Sequence, residues 1–463
     1  MLPGRLSTHA KNRVPAECYP VFGTEELSSN DQPYEFLGRF GSTANLPTMN
    51  QHPKPHPDIR VASFPIRGTL ATLGLALAVL QPASAAYSWK DFQFGGFASQ
   101  GYLKNDGHND YLGNTSKGTF DFREYAVNAS WSSGAWRIGA QAFGEKLGKY
   151  GNDEIKLDWA TIDYQPAQWF GLRAGRVKMP RGLYNEALDL DSVRPFVLLP
   201  QSVYDNRLRD FDSFFDGGMV YGNLSLAGAG SLDYRLFYGK KPIALNSGAS
   251  DYFNTDAPYA NTSISIDDVK GTSLFWNTPV NGLKTGFSYS RFDNFDTVRL
   301  ITKGVHTGQY GHKITTGYDR YLLSVEYLTG DWVFATEAGR ENAGFAVLYP
   351  PAPPGVWLFS KYRYYYLSAA RRINRWLELG AYYNYSKFTQ YGVNSATAIF
   401  PTLIQGDTAL SVRFDLNDHL IFKIEGHYMD GAGKIFNIPS YPQPVPNRDN
   451  TWKMIAAKVT YTF

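Results

Sequence analysis

The chain has 463 residues and a mean hydropathy of −0.33, and no apolar run approaches the roughly 18 residues that a spanning helix requires, which excludes a helical membrane protein. The formal net charge is +3, with acids and bases mixed along the chain, which gives no support to nucleic-acid binding. Aromatic residues make up 16% of the chain and there are 44 glycines, a composition typical of membrane β-barrels that soluble all-β proteins partly share.

The first recognisable element is an export signal. Arg60 and Arg67 precede an apolar run over residues 70–80, and a small-residue segment ends at Ala85. Basic, apolar and small-residue parts in this order indicate a secretory signal peptide that is cleaved after Ala85. The run is too short to favour an uncleaved anchor.

The signal lies unusually far along the chain, because the apolar run normally falls within roughly the first 30 residues. We therefore expect the signal peptide to span residues 49–85, starting at the internal Met49. Residues 1–48 are then an over-extended reading frame or a dispensable segment, and a genuine pro-segment is the alternative. Cys18, the only cysteine, falls in the discarded part, so residues 86–463 are expected to form a barrel without disulfides.

Sixteen strand-like segments follow, joined alternately by short turns and long loops. One short turn contains Asn281-Gly282, a pair that tolerates the positive φ of a tight hairpin. An even count with this alternation predicts an all-β fold, a transmembrane antiparallel β-barrel of about 16 strands with its turns in the periplasm, and a soluble sandwich is the alternative. The segments are residues 89–103, 119–131, 135–146, 154–164, 169–178, 214–226, 231–240, 271–276, 283–292, 318–328, 332–342, 361–373, 376–388, 407–416, 419–429 and 452–463.

The clearest strands have one apolar and one charged face. In residues 419–428, Phe422 and Ile424 alternate with Lys423 and Glu425. An Arg or Lys that faces lipid at the midplane costs about 2–4 kcal/mol, so the charged face is expected to line an aqueous lumen. The predicted lumen-lining residues are Arg137, Glu145, Asp233, Arg235, Arg413, Lys423, Glu425 and Lys458.

One strand does not follow this pattern. In residues 361–373, Arg363 and Arg371 share a face with Tyr365 and Leu367. We expect the ends of this strand to lie at the level of the lipid headgroups, where Tyr and Arg are both tolerated.

The third long loop, residues 179–213, contains an apolar piece at residues 195–200. An exposed loop has no reason to present such a patch, so we expect the loop to fold into the lumen or against a neighbouring subunit. Opposed charges at a constriction filter ions by size and sign, although solvated charges that pair with one another are the alternative. The predicted constriction residues are Arg176, Lys178, Arg181, Glu186, Asp189, Asp191, Arg194, Arg207 and Arg209.

The last strand alternates up to Phe463, with Val459 and Tyr461 on the same face. An even strand count places it antiparallel to the first strand, near Phe92 and Phe94. Pairing of these two strands closes the sheet and leaves no exposed edge.

Sixteen strands, a long third loop and a terminal Phe resemble the Gram-negative outer-membrane porins, and GRVKMPRGLYNE (residues 175–186) is similar to a segment of the phosphate-selective porin family. The resemblance implies an ion-transporting channel in the outer membrane for passive diffusion of small hydrophilic solutes. It also implies a homotrimer, contact with outer-membrane lipid, and Phe463 as the assembly signal that the barrel-assembly machinery reads on the last strand.

No nucleotide-binding glycine loop, zinc-type spacing or nucleophile elbow occurs in the sequence. We therefore expect no enzymatic activity, no cofactor and no metal. The alternative is a plugged barrel that acts as a surface or structural protein, or as a lipid hydrolase whose Ser/His pair the sequence does not reveal.

Overall fold

A computed structural model of the chain describes residues 87–89, 91–253, 259–304, 306–348, 356–392, 402–435 and 449–463. The predicted signal peptide and the segment before it lie outside the described residues. In the part that is described, no helix is both long enough and apolar enough to cross a membrane.

Within these described ranges, seventeen strands form one antiparallel sheet. The first is a three-residue strand, and the other sixteen pair in chain order and close into a barrel, as predicted. The strands are Tyr87–Trp89 (β1), Phe92–Asn105 (β2), Phe122–Ser133 (β3), Trp136–Leu147 (β4), Lys156–Ala167 (β5), Phe170–Lys178 (β6), Phe214–Ser225 (β7), Ser231–Pro242 (β8), Tyr259–Asn277 (β9), Leu283–Ile301 (β10), Tyr310–Thr329 (β11), Trp332–Leu348 (β12), Val356–Arg372 (β13), Leu377–Gly392 (β14), Leu403–Asp415 (β15), Leu420–Gly431 (β16) and Thr451–Thr462 (β17).

Short turns join the strands at one end of the barrel and longer loops join them at the other. The described helices are short and lie in the connections: Arg209–Asp212 (α1), Gly248–Phe253 (α2), and single 3₁₀ turns at Asn185–Ala187, Asp191–Val193, Asn206–Leu208 and Ala227–Ala229. Five of the described strands, β9 to β13, have 17 to 20 residues and are longer than predicted. The expectation that β9 begins near residue 271 was wrong, because its polar first half continues the ladder with β10 from Tyr259 onward.

The outer wall is apolar and the inner face is polar, as the alternation predicted. Outward side chains such as Ile138, Leu236, Leu323 and Leu367 are 46 to 60% exposed. Their neighbours in sequence point inward, where charged and aromatic groups fill the barrel. An apolar wall of this kind suits lipid, and the inward charges require counter-charges or water.

Closure depends on the pairing of β17 with β2. Phe463 exchanges two backbone hydrogen bonds with Gly96: its C=O accepts from the Gly96 N–H at 2.9 Å and its N–H donates to the Gly96 C=O at 3.0 Å. The predicted pairing of the last strand with the first is confirmed, but it ends at Phe97 and Gly96 and does not reach Phe92 and Phe94. Those two residues pair with β1, which continues the sheet where β17 ends.

The outward ring of Phe463 covers Gly96 and leaves no room for a side chain there. A Cβ on Gly96 would lie 2.5 Å from the Phe463 ring and 2.5 Å from the Ala126 carbonyl oxygen. Overpacking of this kind costs about 1–3 kcal/mol. We therefore expect Gly96→Val to lower the free energy of unfolding by that amount, measured by urea unfolding in detergent micelles.

Gly426 provides the matched control for this substitution. It also faces outward, on β16, but a Cβ there meets no atom within 4 Å. Gly426→Val should leave the unfolding curve unchanged. Equal unfolding midpoints for the Gly96 variant and this control would contradict a tight contact at the closing pair of strands.

Candidate pore constriction

The third loop runs through the inside of the barrel. Between β6 and β7 it buries its apolar piece against inward-facing groups of distant strands: the Phe196 ring meets Tyr382 of β14 edge-on at 4.9 Å, and Val197 and Leu198 pack with Trp452 of β17. Inward folding, one of the two predicted outcomes, accounts for the apolar patch because the barrel interior shields it from water.

Asp191 is the centre of one charged anchor between this loop and the wall. Its carboxylate lies 2.9 Å from the Arg194 guanidinium, 3.3 Å from Lys423 Nζ and 3.5 Å from Lys458 Nζ. It also accepts a hydrogen bond of 2.6 Å from the Thr460 hydroxyl. Burial on its own raises the pKa of Asp191, but Lys423, Lys458 and Arg194 outweigh burial and hold this pKa well below its usual range.

The same part of the wall also satisfies the irregular backbone of the loop. Lys423 Nζ donates to the carbonyls of Asp191 at 2.7 Å and of Arg194 at 2.8 Å. The Glu425 carboxylate accepts from the N–H groups of Val197 at 2.9 Å and Leu198 at 3.2 Å. Buried peptide groups are costly without partners, so these contacts hold the path of the loop as well as its charge.

Arg413 of β15 completes this contact region. Its guanidinium donates to the carbonyls of Ser192 at 2.7 Å and Arg194 at 3.1 Å, and to the Asp415 carboxylate at 2.7 Å. Arg413 therefore holds the chain at the point where it leaves the 3₁₀ turn at Asp191–Val193.

A second charged anchor lies further round the wall, on β5, four strands from β17. Asp158 of β5 is bound by Lys178 at 2.6 Å and by Arg209 at 2.8 Å, and Arg209 also reaches Asp189 at 2.7 Å. Burial raises the pKa of Asp189, but Arg209 and Lys178 together bring it below its usual value. Two bases and two acids therefore neutralise one another where the loop leaves β6.

A third anchor joins the loop to β11 and β12. Asp212 lies 2.6 Å from Arg320, and Arg320 and Arg181 lie 3.1 and 3.5 Å from Glu341. Glu337 accepts from the Leu183 N–H at 2.9 Å and from the Tyr204 hydroxyl. The loop is thus held on several sides of the barrel.

Two further predicted constriction residues lie at other levels. Arg207 pairs with Asp205 at 2.7 Å and stacks over Tyr111, in the layer formed by the other long loops. Glu186 faces Arg235 of β8 at 3.4 Å, and both side chains keep 13 to 14% of their surface exposed. That pair is the least enclosed of the contacts between the loop and the wall that involve a predicted residue.

Arg176 differs in its surroundings from the other predicted constriction residues. By the alternation of β6 it falls in the row of Leu172 and Ala174, and it pairs with Asp216 at 2.7 Å and stacks over Phe214. It also borders a cavity beside the loop that Asp158 and Arg209 line, so its place in the constriction stays a prediction.

The predicted lumen-lining residues all lie on inward rows, but they differ in their surroundings. Arg137, Glu145 and Arg235 are partly exposed. Asp233 accepts from Asn223 at 2.7 Å and Asn277 at 3.0 Å. Lys423, Glu425, Lys458 and Arg413 lie under the loop and are at most 7% exposed, so they anchor it rather than line open water.

Small spaces remain beside the loop. One cavity of about 230 Å³ is bordered by Glu145, Asp158, Arg209 and Asp210. Apolar side chains, among them Phe143, Phe214 and Ile243, complete its lining.

Sequence reasoning missed the wall residues Asp158, Arg320, Glu337 and Glu341. For Arg320, Glu337 and Glu341 a signal is present in the sequence, because alternation along β11 and β12 puts each of them on the inward row. What the sequence does not contain is the path of the loop that pairs with them.

No protein-family description matches the chain, and no curated protein matches its sequence. Among solved structures, the chain is similar to in-vitro-folded OmpT, an outer membrane protein of Vibrio cholerae, with a TM-score of 0.50 at 12% identity over 82% of this chain and 100% of that one. The trimer form of OmpT gives 0.50 at 12% identity over 80% and 99%. The outer membrane channel DcaP of Acinetobacter baumannii gives 0.49 at 10% over 82% and 100%.

The OmpT matches show a shared barrel fold. At this identity they carry nothing about selectivity or about individual residues. The function must therefore be argued from the contacts of this chain.

The Asp191 anchor should control how the third loop is held. Asp191→Asn leaves Lys423, Lys458 and Arg194 buried without their shared counter-charge, and loss of one partner from a buried ion pair costs about 3–5 kcal/mol. We expect a loss of unfolding free energy of that order in detergent micelles. Asp430→Asn, which changes an outward acid on β16, should have no effect.

The pH dependence gives this prediction a second readout. The depressed pKa of Asp191 means that its stabilising contribution is present above the unfolded pKa of about 3.9 and is lost as pH falls through the lower folded value. The urea concentration at the unfolding midpoint of the native protein should therefore decrease once the pH is lowered below about 4. Asp191→Asn should flatten that fall, and identical acid limbs for the two proteins would contradict the anchor.

Proposed function

We propose that this chain is a Gram-negative outer-membrane porin, a passive diffusion channel for small hydrophilic solutes or ions that its third long loop constricts. One observation carries the proposal: the barrel is apolar on its outer wall and charged with both signs on its inner wall. Such a wall is compatible with lipid outside and a hydrophilic path inside. Residues 49–85 would deliver the chain to the cell envelope as its signal peptide.

The two arginines that disturbed the pattern of β13 support this placement. Arg363 and Arg371 lie on the same outward face eight residues apart, with Tyr365 and Leu367 between them. Eight residues of strand extend about 27 Å, or about 21 Å along the barrel axis at a tilt of about 40°, slightly less than the roughly 25 Å height of the apolar band of such barrels. The arginines would thus lie at the two borders of the hydrocarbon layer.

A closed barrel with a surface or structural role is the second candidate. It is favoured by the burial of Asp191, Lys423 and Lys458, each at most 3% exposed, which shows how fully the loop occupies that side of the interior. A lipid hydrolase is less well supported. The inward His427 lies between carboxylates, with Asp407 3.1 Å from Nδ1 and Glu425 3.0 Å from Nε2, and neither of these contacts involves a serine.

Assembly partners follow from the same proposal. We infer a homotrimer in contact with outer-membrane lipid. Phe463, which completes the pairing with β2, is also our proposed signal for the barrel-assembly machinery. Loss of its ring would then affect insertion in cells more than stability in micelles.

Conductance tests the proposed channel. Purified protein in planar bilayers should give stepwise ionic currents of small amplitude, because the loop takes up much of the interior. Asp191→Asn, which loosens the loop, should increase the amplitude or its fluctuation. A protein that inserts but never conducts, in both forms, would support the closed barrel instead.

Ion preference tests the constriction. Glu186 and Arg235 are the most open pair between loop and wall, so Glu186→Gln leaves an uncompensated cation beside the path and should shift the reversal potential in a salt gradient towards anions. Asp430→Asn removes an acid on the outer wall and should not shift it. An unchanged potential for Glu186→Gln would remove this pair from the permeation path.

A further inference from the structure

Four cations form a group on the outer wall, on the half of the strands nearer the long loops. Arg340 of β12, Arg363 of β13 and Lys387 of β14 lie directly opposite one another on adjacent strands, and all three are exposed. Lys361 lies on the same face of β13, two residues before Arg363. We name these four residues the outer basic cluster.

The protein itself supplies little to neutralise the outer basic cluster. Arg340 Nε donates to the Asn342 side-chain oxygen at 2.9 Å, and Lys361 lies over the Tyr391 ring at 5.3 Å. Neither contact brings a negative charge. Arg363 and Lys387 have no ion pair or side-chain hydrogen bond to any residue that the structure describes.

Acidic residues on these strands point the other way. Glu337 and Glu341 of β12 and Glu378 of β14 are buried inside the barrel, and within residues 332–348 and 356–392 no acid faces outward. The nearest outward acids lie on other strands. Asp319 is on β11, next to β12, and Asp430 is on β16, two strands away from Lys387.

Neighbouring strands show how charges on the outer wall are otherwise arranged. Asp319 is already held by Arg291 at 3.2 Å, and Asp293 accepts from Arg291 at 2.9 Å and from Lys270 at 3.0 Å. Asp319 lies in the same row across the sheet as Lys361, so these paired charges are at the level of the cluster. On β9 to β11 the wall alternates charges, whereas on β12 to β14 it does not.

Like charges directly opposite one another destabilise a sheet, and a lipid-facing cation has no water to solvate it. The arrangement is therefore favourable only where anions meet the wall. Tyr365, Tyr383 and Tyr385 lie just below the cluster, towards the turns, as aromatic residues do at a membrane interface. This places the cluster at headgroup level in the leaflet on the loop side.

We propose that the outer basic cluster binds the phosphate groups of an anionic glycolipid in that leaflet. Guanidinium groups bind phosphate in bidentate fashion and lysine adds a point charge, so mixed Arg and Lys suit a phosphorylated headgroup. Two strand spacings separate Arg340 from Lys387, about 10 Å, which allows more than one phosphate to be bound at once. The inference rests on the outer-membrane location proposed above, but not on conduction.

Native mass spectrometry of the protein in micelles tests this site. The probe is a lipid A glycolipid, an acylated glucosamine disaccharide with two phosphates, compared with its dephosphorylated form and with zwitterionic phosphatidylethanolamine. We expect retention of the bisphosphorylated form only. The variant Arg340→Gln/Arg363→Gln/Lys387→Gln should reduce its affinity at least tenfold, and because the three residues are exposed the fold should persist.

Arg371→Gln provides the matched control. Arg371 faces outward on β13 as well, but at the turn end of the strand, where it lies over Trp332 at 5.3 Å. Its substitution should change glycolipid affinity less than twofold. Equal binding by native protein and the triple variant, or equal binding of the dephosphorylated lipid, would overturn the proposal.

Two further measurements separate this inference from its alternatives. If inorganic phosphate at low millimolar concentration displaces the glycolipid, the cluster is a site for free phosphate and the lipid assignment fails. If the triple variant loses its oligomeric state while glycolipid affinity is unchanged, the cluster belongs to a subunit interface. A native protein that binds the glycolipid but does not conduct would overturn the proposed channel and leave this site intact.

Discussion

Every peptide group away from water needs a hydrogen-bond partner, and this constraint shapes both the wall and the contents of the barrel. In the wall the partners come from the adjacent strand, and pairing of β17 with β2 leaves no strand of the sixteen without two neighbours. In the third loop, which has no regular ladder, the partners come from side chains. Its carbonyls accept hydrogen bonds from Lys423 and Arg413, and its N–H groups donate to the Glu425 carboxylate.

The side chains that bind the loop backbone are charged, and a buried charge needs a counter-charge nearby. Inside the barrel each anchor contains both signs: Asp191 among three bases, and Asp158 and Asp189 with Lys178 and Arg209. Buried charges of one sign would be far more costly than these pairs. On the outer wall of β12 to β14 the cations have no acidic partners. The inner face of these strands therefore pairs its charges, and the outer face does not.

Much of the architecture could be predicted because a barrel strand carries its information locally. Alternation gave the sixteen strands and the inward direction of Lys423, Glu425 and Lys458, since side-chain direction depends only on position along the strand. The same rule gives Arg176 the row of Leu172 and Ala174, although its side chain also borders the cavity that Asp158 and Arg209 line.

The partners within the lumen could not be predicted in this way. Whether Lys423 and Lys458 form ion pairs with Asp191 depends on how the loop crosses the interior, and no local sequence pattern encodes that path. The length of β9 was missed for a related reason: its first half is polar, and only pairing with β10 identifies it as strand.

The Asp191 anchor also has a consequence for the order of events during folding. The Lys423 contact to Asp191 joins residues 232 apart in the chain, and the Thr460 contact joins residues 269 apart. While β16 and β17 are not yet in place, Asp191 has only Arg194, from the loop itself, as a counter-charge, and the loop lacks the bonds that Lys423 and Glu425 supply. Docking of the loop must therefore await the last two strands, and contacts of such high sequence separation form slowly. The third loop therefore reaches its final position inside the barrel only after the ring of strands has closed.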